Sequence, residues 1–160
     1  WGGGIRVPTC MGWKGVIEGG TTYNRDSMTM DWMPTMAEVV GLKSPEGIEG
    51  LSMLSGILGK EISKKEERAL VWVRREGGSR YKGQAYYAIK KGPWKLLQNT
   101  STESFELYNL KNDPGEASPV TNNVKKLREL ENLLREHIRN TGFVPWQGRS
   151  PDLEKVDYKQ

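Results

Sequence analysis

The chain has 160 residues, with 24 Lys and Arg, 20 Asp and Glu, one His and one Cys. One Cys excludes an intramolecular disulfide framework and a multi-Cys metal site, and one His excludes paired-His metal motifs. The longest apolar run is only residues 69–73, whereas a membrane-spanning helix needs roughly 20 residues, so no membrane span is predicted. No signal peptide is predicted in this chain. The start at Trp-Gly-Gly-Gly, without Met, suggests a piece of a longer protein.

The net charge of +4 is concentrated in one segment. Residues 61–99 carry ten basic and four acidic side chains, whereas residues 1–60 and residues 100–160 each have one acidic side chain in excess. A local positive field attracts an anionic partner such as a sulfate, a phosphate or an acidic polysaccharide. The alternative is a Lys- and Arg-rich face that serves solubility. Nucleic acid is not predicted as a partner because no recognition motif or zinc module is present.

The first 60 residues predict an extended segment followed by one short helix. Residues 5–17 contain apolar side chains around a proline, which is typical of an edge strand. We expect the helix to have Asp31 as its N-cap and Pro34 in its first turn, and to end before Gly41. The remaining residues up to 60 are predicted to form a loop.

The second half of the chain predicts a small sheet and one long helix. Gly92-Pro93 and residues 112–115 have the composition of tight turns between strands. Asn122 or Asn123 can cap the helix, and Gly142 can end it. Apolar residues at three- and four-residue spacing predict that one helix face lies on the sheet. The strands are predicted over residues 69–74, 86–90, 94–98 and 105–110, and the helix stripe consists of Val124, Leu127, Leu130, Leu134 and Ile138.

The sequence contains no complete catalytic set. Cys10 lies in an apolar stretch and has no second His to activate it, so it is predicted to be a buried, inert thiol. The carboxylates are scattered, and none forms a pair at a spacing that general acid–base chemistry requires. No catalytic residue and no metal site are therefore predicted in this chain.

One short segment has the composition of an anion site. Arg74 and Arg75 come at the end of a predicted strand, before a Gly-Gly loop, and two guanidinium groups there are well placed to hold an oxyanion. Tyr81, Tyr86 and Tyr87 follow closely, and aromatic rings beside cations are common in sugar and anion sites. The candidate substrate-binding residues are Arg74, Arg75, Glu76 and Tyr81. The alternative is that one Arg faces solvent and the other pairs with Glu76.

Six strings in chain order resemble motifs of the type I sulfatases. The sequence departs from the family pattern at Gly2, where Glu is usual, and at Glu49, where Asp is usual. The strings are residues 3–8 (Gly-Gly-Ile-Arg-Val-Pro), 13–20 (Trp-Lys-Gly-Val-Ile-Glu-Gly-Gly), 30–36 (Met-Asp-Trp-Met-Pro-Thr-Met), 48–52 (Ile-Glu-Gly-Leu-Ser), 88–97 (Ala-Ile-Lys-Lys-Gly-Pro-Trp-Lys-Leu-Leu) and 106–116 (Glu-Leu-Tyr-Asn-Leu-Lys-Asn-Asp-Pro-Gly-Glu).

The resemblance implies an α+β fold. Residues 1–60 would be the C-terminal edge of an alkaline-phosphatase-like α/β catalytic domain, comprising an edge strand, a loop and a helix. Residues 61–147 would form the C-terminal sulfatase subdomain, which is a four-stranded antiparallel sheet packed by a helix. Residues 148–160 would be a flexible tail. The missing N-terminal catalytic domain would then be the main partner of this chain.

The resemblance also implies which chemistry is absent from the chain. Sulfatases make a formylglycine from Cys or Ser in Cys/Ser-x-Pro-x-Arg, and a bound calcium polarises the sulfate. Cys10 is followed by neither Pro nor Arg at the required positions, so formylglycine and calcium are expected only in the full-length parent. The isolated chain is predicted to be inactive, while the parent would cleave sulfate esters, with sulfated carbohydrate as substrate. The Arg74–Gly78 loop is the candidate wall of the pocket.

Two other functions are open. The chain could be a non-catalytic module that binds anionic glycan through residues 61–99, or a purely structural piece. If the catalytic domain is missing, we expect an uncovered apolar patch, with self-association as a consequence. The family implies an exported parent in a periplasmic, extracellular or lysosomal compartment. The predicted patch consists of Met28, Met30, Trp32 and Met36.

Overall fold

The computed structural model describes residues 5–60, 68–75, 85–100 and 102–141. The chain divides into two compact units, one of residues 7–66 and the other of residues 67–160 with residues 1–6. Within the described ranges, no helix combines the length and the apolar character that crossing a bilayer requires. The predicted tail, residues 148–160, lies outside the described residues.

The described part of the first unit, residues 7–60, contains three short helical segments. A 3₁₀-helix over Thr29–Asp31 leads directly into α1, Trp32–Val39, and a single-turn helix, α2, covers Leu54–Ile57. Gly41 follows α1 with a φ of 72°, which is the left-handed conformation that a glycine adopts readily after a helix. The predicted helix is therefore confirmed, while α2 is one helical turn inside a segment predicted as loop.

Residues 5–17 form no strand, contrary to the prediction of an edge strand. The backbone N–H groups of Val16 and Ile17 donate to the Trp13 carbonyl at 3.0 and 2.9 Å, so the chain turns there. An apolar, Pro-containing segment becomes a strand only when a neighbouring strand pairs with its backbone, and none of the described strands does so. The thiol of Cys10 is exposed, so the prediction of a buried thiol was wrong.

The second unit contains the predicted four-stranded sheet. The strands are β1, Leu70–Arg75; β2, Ala85–Lys91; β3, Trp94–Gln98; and β4, Glu106–Asn109. They pair in sequence order, β1-β2-β3-β4, and each neighbouring pair is antiparallel. This antiparallel sheet, with α3, confirms the predicted α+β subdomain.

Helix α3, Val124–Asn140, packs on one face of the sheet, and the two together form the hydrophobic core. The side-chain oxygen of Asn123 accepts from the Lys126 N–H at 3.1 Å, so the predicted N-cap forms. Leu130 and Leu134 are completely buried one turn apart. They pack against three sheet residues that face each other across the strands, Ile89, Leu96 and Leu107.

The sheet face opposite α3 is also buried over its central rows. Leu70, Lys95, Leu97 and Tyr108 are each at most 4% exposed. Lys95 and Tyr108 lie directly opposite each other in the β3–β4 register, and they point away from α3 because side chains alternate along a strand. A sheet buried on both faces gives its polar residues a low-dielectric environment, so each needs a partner.

Candidate functional site

Arg74 lies near the C-terminal end of β1, on the face of the sheet away from α3. Its register partner on β2 is Tyr86, and residues directly opposite in an antiparallel pair present their side chains on the same face. Arg74 is exposed, in contrast with the buried rows further along the sheet. The structure therefore brings together one guanidinium and one aromatic ring at the edge of the sheet.

The other candidate residues are only partly described. Arg75 ends β1 and pairs with Ala85 in the backbone register. Glu76 and Tyr81 fall outside the described residues, so the substrate-binding role assigned to them stays a prediction.

Part of the positive charge of residues 61–99 is neutralised inside the fold. The Lys95 Nζ donates to both carboxylate oxygens of Glu116 at 2.8 Å, and the two side chains are 3% and 2% exposed. Lys91 Nζ lies 3.9 Å from a carboxylate oxygen of Glu129 on α3. Lys95 is therefore a structural cation that an external anion does not reach, and the field available to a ligand is smaller than the count of charges indicates.

A turn holds Glu116 in place for this pair. Glu116 has a φ of 56°, which a residue with a side chain rarely adopts. The Asp113 carboxylate accepts from the N–H groups of Ala117 and Ser118 at 3.1 and 3.0 Å, and the Asp113 carbonyl accepts from the Glu116 N–H. The two family motifs that contain Lys95 and Glu116 thus form one buried ion pair.

Asp113 is expected to make folding sensitive to acid. The hydrogen bond from the Ser118 N–H, and then the one from Ala117, hold the pKa of the Asp113 carboxyl below its usual value. A lowered folded-state pKa stabilises the fold above the unfolded-state pKa of about 4, and this contribution disappears as the pH falls through the folded-state value. Asp113→Asn should melt below the wild type at pH 6, and the difference should shrink below about pH 4. A difference that stays constant from pH 6 to pH 2 would contradict this role.

In the first unit, the motif at residues 30–36 binds the motif at residues 48–52. The Asp31 carboxylate accepts from the N–H groups of Met28 at 2.7 Å and Leu51 at 2.9 Å. The Thr35 hydroxyl donates to the Asp31 carbonyl at 2.6 Å and accepts from the Met53 N–H at 2.9 Å. Asp31 and Thr35 are 2% and 1% exposed, so both are buried side chains whose hydrogen bonds connect the two segments. The carboxylate of Asp31 makes no capping bond to α1, and the prediction of a side-chain N-cap was wrong in that respect.

Asp31→Ala is expected to lower the free energy of unfolding by about 2 kcal/mol, because it removes an acceptor shared by two N–H groups. The Leu51 N–H should also exchange its hydrogen faster than in the wild type. Thermal unfolding and amide hydrogen exchange measure the two effects. Glu46→Ala, at an exposed carboxylate in the same unit, should leave both unchanged. If Asp31→Ala and Glu46→Ala changed thermal unfolding and amide exchange equally, Asp31 would not hold the two segments together.

The described residues do not fit a metal centre or a formylglycine. Among them, no group of three His, Cys, Asp or Glu side chains could hold a metal ion. Cys10 is exposed and is followed by Met11, Gly12, Trp13 and Lys14, which lack the Pro and Arg of the formylglycine motif.

The sheet and α3 of the second unit contain the buried Lys95–Glu116 pair, and the first unit contains the Asp31–Thr35 contact. Both contacts are made by segments that resemble sulfatase motifs. The family model described as N-sulphoglucosamine sulphohydrolase, C-terminal, matches residues 1–142, and the chain belongs to this family. The resemblance to sulfatases seen in the sequence is confirmed.

Individual relatives agree with this assignment. A sulfatase of Formosa agariphila is 31% identical, and the alignment covers 98% of this chain and 31% of the relative. An N-acetylglucosamine-6-O-sulfatase of Bacteroides thetaiotaomicron is 27% identical, with 82% and 24% covered. A solved structure of a protein in complex with its substrate, D-glucosamine-2-N,6-O-disulfate, superposes with a TM-score of 0.65 at 25% identity, covering 88% of this chain and 28% of that one. The chain thus spans less than a third of the length of these proteins.

Proposed function

We propose that this chain is the C-terminal portion of a sulfatase that hydrolyses a sulfate ester of a sulfated sugar. The observation that carries the proposal is the family match over residues 1–142. The named substrates of two relatives, an N-acetylglucosamine 6-O-sulfate and a glucosamine disulfate, support a sulfated amino sugar as the substrate class. A purely glycan-binding or structural module is the less favoured alternative, because the relatives are enzymes by name.

In this proposal the formylglycine and the calcium belong to a part of the protein outside residues 1–160. The length of the relatives supports this, because the chain covers only 31% and 24% of the two sulfatases compared above. The isolated chain is expected to release no sulfate. Its role is to complete the fold of the catalytic domain and to contribute one wall of the substrate pocket.

Sulfate release from D-glucosamine-2-N,6-O-disulfate tests this proposal. The assay compares the 160-residue chain with a polypeptide that also contains whatever the gene encodes before residue 1. We expect turnover only with the longer polypeptide. Turnover by the isolated chain would contradict the assignment of the chemistry to another part of the protein, and no turnover of any sulfated sugar by either would contradict the sulfatase assignment.

We assign the pocket wall to the end of β1, where Arg74 is exposed opposite Tyr86. In the longer polypeptide, Arg74→Ala with Arg75→Ala is expected to raise KM for a sulfated sugar roughly tenfold, which is the magnitude of one lost hydrogen bond to a charged group. Arg128→Ala, at an exposed arginine on α3, is the matched control. The assignment fails if the double variant and the control have the same KM and kcat.

The exposed apolar side chains of residues 7–66 are the surface we propose for the contact with the catalytic domain. Of the predicted patch, Met30, Trp32 and Met36 are 38%, 37% and 45% exposed, whereas Met28 is half-buried. Met33 on α1 and Val40 directly after it are 60% and 67% exposed. Such a density of exposed apolar side chains is typical of a surface that another part of a protein covers. We expect the isolated chain to self-associate, and Met33→Glu to reduce this in analytical ultracentrifugation. A monomeric wild-type chain at about 100 μM would contradict the expectation of self-association.

A further inference from the structure

A groove lies in the second unit between the last two turns of α3 and the sheet. Its volume is about 500 Å³, within the range of roughly 300–1,000 Å³ that small-molecule sites occupy. The sheet and the loop before β4 contribute two aromatic rings and an amide, while the helix contributes two guanidinium groups and a second amide. The side chains that carry the argument are Tyr87, Gln98, Phe105, Asn132, Arg135 and Arg139.

The two arginines have different roles. Arg135 donates through Nε and Nη2 to one carboxylate oxygen of Glu131, at 2.9 and 2.7 Å, and its guanidinium carbon lies 5.7 Å from the centroid of the Phe105 ring. It is thus held in place and its charge is offset. Arg139 lies one helical turn further on the same face and, within the described ranges, makes no hydrogen bond or ion pair. Among the described residues that line the groove, Arg139 is thus a cation without a carboxylate partner.

The helix end does not cancel this charge. The C-terminus of α3 carries a partial negative charge of about half an elementary unit, spread over its last carbonyls, whereas Arg139 carries a full positive charge on an exposed side chain. Among the described residues, none of the side chains that line the groove is a carboxylate. An anionic group is thus favoured at the Arg139 end.

We propose that this groove is an accessory binding site for a sulfated saccharide, separate from the pocket wall at Arg74. The choice of ligand rests on the proposed function. The half-buried ring of Tyr87 lines the groove and can contact a sugar ring. The amides of Gln98 and Asn132 can both donate to and accept from hydroxyl groups, and Arg139 takes the sulfate. An extended acidic peptide fits less well, because β2 and β3 are each paired on both sides and leave no free strand edge for it.

The test uses the 160-residue chain and amide chemical-shift titration with D-glucosamine-2-N,6-O-disulfate. We expect saturable shifts around Gln98, Asn132 and Arg139. Arg139→Ala should weaken binding roughly tenfold, Arg139→Lys less, and both should keep the wild-type melting temperature because the side chain is exposed. Arg128→Ala, on the same helix but about 16 Å further along its axis, should bind as the wild type does.

The following results would overturn the inference. These are wild-type affinity of Arg139→Ala, equal affinity for sodium sulfate and for the disulfated sugar, and tighter binding of a hexaglutamate peptide at the same residues. The last two would assign the groove to free anions or to acidic peptides. Sulfate release by the longer polypeptide without saccharide binding in the groove would overturn this inference alone. Saccharide binding in the groove without sulfate release from any sulfated sugar would support the groove and contradict the proposed function.

Discussion

Lys95→Met is expected to lower the free energy of unfolding by about 3–5 kcal/mol, the cost of leaving one member of a buried ion pair without its partner. The side chains of Lys95 and Glu116 are 3% and 2% exposed, so solvent cannot replace the lost cation. Met has nearly the shape of the lysine stem, and the change therefore tests the charge rather than the packing. Urea unfolding of the 160-residue chain, followed by circular dichroism, measures the effect.

The chain offers a matched control one strand away. Lys91 pairs with Glu129 at 3.9 Å, with side chains 37% and 39% exposed, and an ion pair of that kind contributes roughly 0–1 kcal/mol. Lys91→Met should therefore have a small effect. The double variant Lys95→Met, Glu116→Leu should recover most of the loss, because it removes both charges. If the two single lysine variants were equally stable, Lys95 would be an ordinary surface cation.

Gly50→Ala is expected to lower the free energy of unfolding of the first unit by about 3 kcal/mol, at the upper end of the range for overpacking. A Cβ at this position would overlap the backbone carbonyl oxygen of Met30 and would lie 3.2 Å from the Pro34 ring. Because backbone atoms cannot turn away as a side chain does, the loop would have to move. That movement would stretch the hydrogen bonds from Leu51 to Asp31 and from Met53 to Thr35.

Gly12→Ala is the control for this substitution. A Cβ there meets no described atom within 4 Å, and Gly12 has no positive φ, so the variant should be as stable as the wild type or slightly more stable. Amide hydrogen exchange at Leu51 and Met53 separates the two variants directly. If these two N–H groups exchanged as slowly in Gly50→Ala as in the wild type, the loop would accommodate the added methyl group without moving.

The elements predicted from local patterns are close to those observed. The β3 strand has its predicted bounds, and α3 begins after its predicted cap, because turn residues, alternation and capping act within a few residues of sequence. The segment over residues 5–17 was interpreted as a strand for the same local reasons. Its conformation depends on a pairing partner, which a local pattern does not contain.

The buried polar contacts that connect distant segments could not be predicted from local patterns. Asp31 binds the N–H of Leu51, 20 residues away, rather than capping its own helix, and Lys95 reaches Glu116 across 21 residues. From the sequence, a charged side chain is interpreted as solvated unless an oppositely charged residue lies nearby in the sequence. The resemblance to sulfatases located both pairs of motifs but did not show that each pair forms a buried contact in this chain.

The position of Arg74 could be predicted from the sequence, while its substrate-binding role stays a prediction. Arg74 was singled out because it ends a strand, and its exposure opposite Tyr86 agrees with that position. The groove at Arg139 was not predicted, because the apolar stripe of α3 indicated only a core face. The signal that could have found it is the pair of arginines four residues apart on the flank of that stripe.

The central claim is that this chain completes a sulfatase whose chemistry is carried by another part of the same protein. Peptide mass spectrometry of the full-length gene product, purified from its native cells, tests this most directly. The account predicts a formylglycine within a Cys/Ser-x-Pro-x-Arg motif outside residues 1–160. A full-length product that contains no such motif would contradict it.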